Sequence, residues 1–433
     1  MSAYNNSIIR YRVLEQGGIV FAVACAIFLI GIYVTGVTSG DAMSYLPYAN
    51  QLANGIIPAM EYPQFALVFM AIPRIFSSSD LGYTIAFVAE VFVFFMIGLI
   101  VVWKLARRYG QSQPKIMLAY TILMLLIFQF VVDRYDIFPA VLTLVSLYFF
   151  ITKRYVLAFA ILSIATMTKL YPAVLFPIYM LPLIINRDWS NALKGAGVFI
   201  IVLLLIFLPF FLSNPDTALN FVSYNSDRPI QVESTAASFI AFGSVIGLTK
   251  YGLSFGFGSD NITGPWSNAV GPYLTPLIFV FLILIYATYA YVLNRMRKEG
   301  KDSENNGLVL LGGASLLAIT AFIIFGKVFS AQYVIWIIPF VVFMLMTSID
   351  SSSKKYIFAL SVIAILLTQL NYLVNMLICG GCHGIVDGGM MIILARNIVM
   401  LILFVYVIKV CLEKVEMWPW QKTQTSTNDD GKS

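Results

Sequence analysis

The stretch Gln64-Phe65-Ala66-Leu67-Val68-Phe69-Met70-Ala71-Ile72-Pro73-Arg74-Ile75-Phe76 decides how this chain is threaded. It is apolar, yet shorter than the roughly 18–20 residues a helix needs to cross the hydrocarbon core. Pro63 and Pro73 bracket its apolar part. It therefore reads as a re-entrant or interfacial helix. Counted as a full span, it would move every later loop to the opposite side of the membrane.

The rest of the chain is built for lipid. Of 433 residues, 60% are hydrophobic and 11% charged, where a soluble domain carries about 25% charged residues. The apolar residues come in runs such as Ile19–Val34, Ala196–Leu212, Leu274–Leu293 and Met390–Val410. Backbone groups in lipid must be satisfied within the segment, so such runs are helices. Strand-like alternation is absent, which argues against an outer-membrane barrel. The expected fold is an all-α polytopic membrane protein with about twelve spans. They fall near 18–37, 82–105, 114–132, 136–151, 155–169, 171–186, 192–212, 270–294, 307–326, 331–348, 355–375 and 390–411. The first reads as a retained signal-anchor, because no small-residue cleavage site follows it.

Charge placement supports this threading. With the N-terminus in the cytoplasm, Lys and Arg gather in the inside loops, as the positive-inside rule requires. The exceptions are Arg74, Arg134, Lys169, Arg228, Lys250, Lys327 and Arg396. The net charge of +6 thus belongs to membrane topology and implies no nucleic-acid partner. One transmembrane unit is expected over 1–421, with long external loops at 38–81 and 213–269. A polar, disordered cytoplasmic tail is expected over 422–433.

Ionisable groups near membrane depth are costly and default to functional hypotheses. Here they collect at the external helix ends, in short clusters with aromatic residues. These are Gly40-Asp41, Glu61-Tyr62-Pro63, Asp133-Arg134-Tyr135-Asp136, Lys169-Leu170-Tyr171-Pro172, Arg228 with Glu233, and Lys327 with Gln332-Tyr333. Different helices thus bring charges to one face, which is the layout of an active site for a substrate with an anionic head and an apolar tail. Each cluster taken singly also reads as an interfacial cap or aromatic belt.

The ordered set resembles the GT-C superfamily of glycosyltransferases, and within it family 87. The resembling stretches run from Gly40-Asp41 and Leu52-Ala53-Asn54-Gly55 through Glu61-Tyr62-Pro63, Asp133–Pro139, Lys169–Pro172 and Arg228–Ser234 to Lys327–Trp336. The resemblance implies a GT-C fold with juxtamembrane helices in the first external loop, matching 42–54 and 64–76. It implies an inverting transfer of a sugar, mannose at the family level, from a polyprenyl-phosphate or dolichyl-phosphate donor. The acceptor would be a hydroxyl of a glycolipid or lipid-linked glycan. The setting would be a prokaryotic plasma membrane, with both termini cytoplasmic and the site extracytoplasmic.

The family's catalytic Asp maps to Asp41. Lys169, Arg228, Lys327 and Arg134 are the candidate cations for the donor phosphate. Glu61, Tyr62, Asp133, Asp136, Tyr171, Glu233, Gln332, Tyr333 and the sole histidine, His383, are candidates to bind sugar or acceptor or to support those that do. Many GT-C enzymes pair the catalytic acid with a second one that helps to hold a metal. Gly40 and Ala42 flank Asp41 here, so no metal is expected.

Two observations pull elsewhere. Cys379-Gly380-Gly381-Cys382-His383 matches the C-x-x-C-H pattern of c-type haem attachment. No other cofactor motif accompanies it, and a small disulfide loop or two free thiols is the simpler reading, so no haem is expected. Glu90 and Arg396 lie inside spans. Paired at mid-depth, they would favour the alternative function, a multi-pass transporter or lipid-glycan flippase.

Overall fold

The structure, a computed structural model, describes residues 16–18, 20–21, 23–25, 41–379 and 387–416. Most of the expected first span, the tail 422–433, and Cys382 and His383 lie outside the described residues. Among the described residues six helices are long and apolar enough to cross a membrane: α3 (Asp80–Arg108), α9 (Trp189–Ser213), α12 (Pro265–Lys298), α13 (Glu304–Ile324), α15 (Ser351–Cys379) and α16 (Asp387–Lys414). The chain is thus a polytopic helical membrane protein. The windows of α9 and α12 are mostly exposed, whereas that of α13 is almost wholly buried. Leu193, Leu205 and Ile283 stand on the outside, as lipid-facing positions should when water is not the solvent.

The remaining spans are shorter for a common reason. α6 (Ile137–Ile151), α7 (Tyr155–Thr168), α8 (Leu175–Ile185) and α14 (Val334–Met346) each end at one of the polar clusters named above. Helix α7 stops where Lys169 turns extended. Helices α8 and α14 are each preceded by a 3-10 turn, Tyr171–Val174 and Ala331–Tyr333. The expected span 114–132 is broken at Ile127 into α4 (Gln113–Leu126) and α5 (Phe128–Asp133).

The first loop forms a 3-10 turn (Asp41–Tyr45), then α1 (Leu46–Ala53) and α2 (Ala66–Phe76). At 1.5 Å per residue, the 11 residues of α2 cover about half of a ~30 Å core. Arg74 Nε donates to Asn50 Oδ1 at 2.6 Å, and Tyr83 Oη donates to Met70 O at 2.9 Å. These bonds tie α2 to α1 and α3. The loop 213–269 holds α10 (Pro215–Asp227), α11 (Thr235–Val245) and an antiparallel hairpin, β1 (Gly252–Gly256) and β2 (Ser259–Thr263). Asn214 and Ser234 cap the two helices, each satisfying an amide the first turn leaves open. Ile230, Val232, Ile240, Ile262 and Leu274 pack with Met390 and Ile393 of α16 into a second, smaller core.

Candidate active site

A cavity of about 1170 Å³ opens where the short helices end. Its wall includes Glu61, Tyr62, Arg134, Lys169, Tyr171, Arg228, Glu233, Gln332 and Tyr333. Most of the candidates separated along the sequence are therefore brought together. Asp41 opens the 3-10 turn whose Ser44 lines the cavity. Asp133 ends α5 off the wall. Lys327 is also off it, its Nζ donating to Ser226 O at 3.3 Å.

The centre is an ion pair sealed by aromatics. Lys169 Nζ lies 2.6 Å from Asp136 Oδ1, with the two side chains 12% and 1% exposed. Trp336 Nε1 donates to the same oxygen at 2.6 Å. The ammonium also sits 4.7 Å from the ring centre of Tyr135, 5.0 Å from Trp336, 5.3 Å from Tyr333 and 5.8 Å from Tyr62. Ring faces attract a cation electrostatically. Trp336 is itself stacked between Tyr171 at 4.2 Å and Tyr333 at 3.8 Å. Lys169 thus has its charge matched inside the protein.

The Arg228 side chain is differently placed. One Nη donates to Ser259 Oγ at 3.0 Å, while its Nε is buried without a hydrogen-bond partner. A buried donor left open costs free energy unless something occupies it. Arg134 shares the wall with it. Tyr48 Oη donates to Glu61 Oε2 at 2.8 Å. Burial first, and then the Glu61 carboxylate, push the Tyr48 phenol well up, so it remains a donor.

Glu233 is buried. Burial pushes its carboxyl above the usual carboxylate range, against the opposing pull of the Arg396 guanidinium and an Ala331 amide. The neutral acid is then favoured in the folded state. Its contribution to stability is present below the usual carboxylate pKa and lost as pH rises through the raised value. Glu233→Gln is expected to flatten that stretch of the stability–pH curve in thermal unfolding.

Sequence reasoning assigned no role to Gln231, although it falls within a quoted stretch. Its backbone amide donates to Lys327 O at 2.9 Å, and its Oε1 accepts from Phe329 N at 3.1 Å. It also bridges to Asn261 of the hairpin. Gln231 therefore laces 228–234, the hairpin and 327–333 into one floor. Gln129 and Gln369, also unassigned, line the same cavity. Their signal was a polar residue inside an apolar run.

Arg396 donates to Glu233 O, lies 3.8 Å from the Phe329 ring centre and pairs with Asn397. Both Glu90 carboxylate oxygens are buried without a hydrogen bond. The mid-depth pair expected of a transporter is thus absent among the described residues. Among those residues there is also no group of three His, Cys, Asp or Glu side chains that could hold a metal ion.

The model of glycosyltransferase family 87 matches residues 61–320, more than half of the chain. The chain belongs to glycosyltransferase family 87. As a family 87 member, and so of the GT-C type its motifs resemble, it is a membrane glycosyltransferase. The matched region holds the site stretches from Glu61 to Glu233, while Asp41 and Lys327–Trp336 fall outside it. No curated protein matches the chain. Two solved structures of ArnT from Cupriavidus metallidurans are similar to it. The one bound to undecaprenyl phosphate has 15% identity, covers 92% of this chain and 77% of that one, and gives a TM-score of 0.46. The apo form has 14% identity, covers 96% and 78%, and gives 0.45.

Proposed function

We propose that this family 87 glycosyltransferase moves a sugar, mannose by family resemblance, from a polyprenyl-phosphate donor to a hydroxyl of a glycolipid or lipid-linked glycan, with inversion. The observation that carries the proposal is Arg228, a cation on the wall of a cavity at the ends of membrane helices. A lipid donor would slide its anionic head to that point while its tail stays among the spans. Residues 1–421 would work as one transmembrane unit. The bias of basic residues supports an extracytoplasmic site and cytoplasmic termini.

In the proposed step, Asp41 takes the proton of the acceptor hydroxyl as its oxygen attacks the anomeric carbon. The bond from that carbon to the phosphate oxygen breaks, and its electron pair leaves with the phosphate. Arg228 and Arg134 meet the charge that grows there. Glu61, steadied by Tyr48, orients sugar hydroxyls. The Lys169–Asp136 pair holds the Tyr171, Trp336 and Tyr333 rings in place, so Lys169 acts on the site through position and field.

Purified protein given polyprenyl-phosphate mannose and a panel of glycolipid acceptors tests this directly. Transfer to none of the acceptors sinks the proposal. Arg228→Gln is expected to raise KM for the donor about 10- to 100-fold, the worth of a charge-assisted hydrogen bond. An unchanged donor KM removes Arg228 from the phosphate site.

A further inference from the structure

The hairpin at the cavity mouth carries a residue that its own turn does not want. Gly256 pairs with Ser259, so Phe257 and Gly258 form a two-residue loop. Their φ values are +54° and +64°, the type I′ geometry that favours Asn-Gly. Glycine at 258 satisfies it. A phenylalanine in the left-handed region costs about 1–2 kcal/mol through its β-carbon. Such strain in a bulky residue points to function at that spot.

Folding does not explain the ring, because Phe257 remains 37% exposed. It meets Tyr224 of α10 at 5.1 Å between centroids and 67° between planes. Both rings line the cavity, together with Phe255, Asp260 and Arg228. The corner they form is held rigidly. Asn261 Nδ2 donates to the carbonyls of Gly256 and Ser259, each at 2.9 Å. Ile262 N donates to Ile230 O at 2.9 Å, and Val232 N donates to Asp260 O at 3.1 Å. Ser259 also receives Arg228. The hairpin is thus fastened to the same loop that carries Arg228 and Glu233.

We propose that Phe257 and Tyr224 form an aromatic corner that stacks on the pyranose ring of the acceptor and so selects a glycosylated acceptor. The inference rests on the glycosyltransferase reading above and adds the residues that would recognise the acceptor's sugar. The C–H face of a pyranose lies on an aromatic ring, while its hydroxyls reach Asp260 and Arg228 at the edge. The hairpin belongs to the loop between α9 and α12. On this reading its wall serves the acceptor.

The test is calorimetric titration of the full protein in sugar-free detergent with octyl α-mannoside, octyl β-glucoside and an octyl sulfobetaine that lacks a sugar. Wild type is expected to bind an octyl glycoside saturably. Phe257→Asn is expected to weaken that binding about tenfold, with thermal stability equal or higher because Asn suits the turn. Phe257→Tyr is expected to keep the affinity. Glycoside binding unaffected by Phe257→Asn overturns the proposal, as does the absence of glycoside binding in wild type. An equal loss for the sulfobetaine also overturns it, since the corner would then serve an alkyl chain. Because the readout is binding, a protein that binds glycosides through Phe257 yet transfers nothing from polyprenyl-phosphate mannose refutes the donor reading and leaves the corner standing.

Discussion

Asp41→Asn is expected to lower sugar transfer about 10³-fold while leaving the thermal unfolding curve unchanged. General-base catalysis contributes about 10²- to 10⁴-fold, and Asn keeps the size of the side chain but cannot take the acceptor proton. The loss should fall on kcat, with donor KM near wild type, because in this mechanism the phosphate is held by Arg228 and Arg134. Asp41 opens the turn whose Ser44 lies on the cavity wall, and Asp41→Asn keeps the side chain's size. A variant that turns over at more than a tenth of the wild-type rate removes Asp41 from the role of base. The base would then be sought at Glu61, the wall carboxylate steadied by Tyr48.

Asp136→Ala is expected to have the largest effect on stability. It strips Lys169 of its counter-charge inside a ring of four aromatics, and it leaves the Trp336 indole N–H unpaired. Removing one partner of a buried pair costs about 3–5 kcal/mol. The purified protein should therefore unfold at a markedly lower temperature, or fail to accumulate. Asp136→Asn combined with Lys169→Met should recover most of the loss, since no uncompensated charge remains and Asn still accepts from Trp336. If Asp136→Ala unfolds at the wild-type temperature, the pair is not what organises the site. A double cycle across Asp136 and Lys169 measures the coupling directly.

The two residues behind these predictions were not equally visible beforehand. Asp41 stands out in the sequence because it follows an apolar run and lies in a stretch that resembles a family motif. The Asp136 arrangement does not. Lys169 reads in sequence as one more external cation available to a phosphate. Its pairing depends on Asp136, 33 positions away, and on Trp336, 200 positions from Asp136. The hairpin was missed for a local reason. Its turn is Phe257-Gly258, where pattern reading looks for Asn, Asp or Gly. The strain that hides the turn is what marks it in the structure.

The sequence by itself determined that the chain lives in a membrane, that 64–76 forms a helix too short to span it comfortably, and that the polar clusters gather at helix ends. These follow from hydropathy and charge summed over neighbouring residues, quantities that exist before any tertiary contact forms. Only the tertiary structure decided which charges remain available. It neutralised Lys169 with Asp136, drew Lys327 onto Ser226, left Arg228 with an open donor, and set Phe257 at the cavity mouth. Ion pairing and exposure are properties of distance in space. For residues tens to hundreds of positions apart, that distance is settled only when the helices pack.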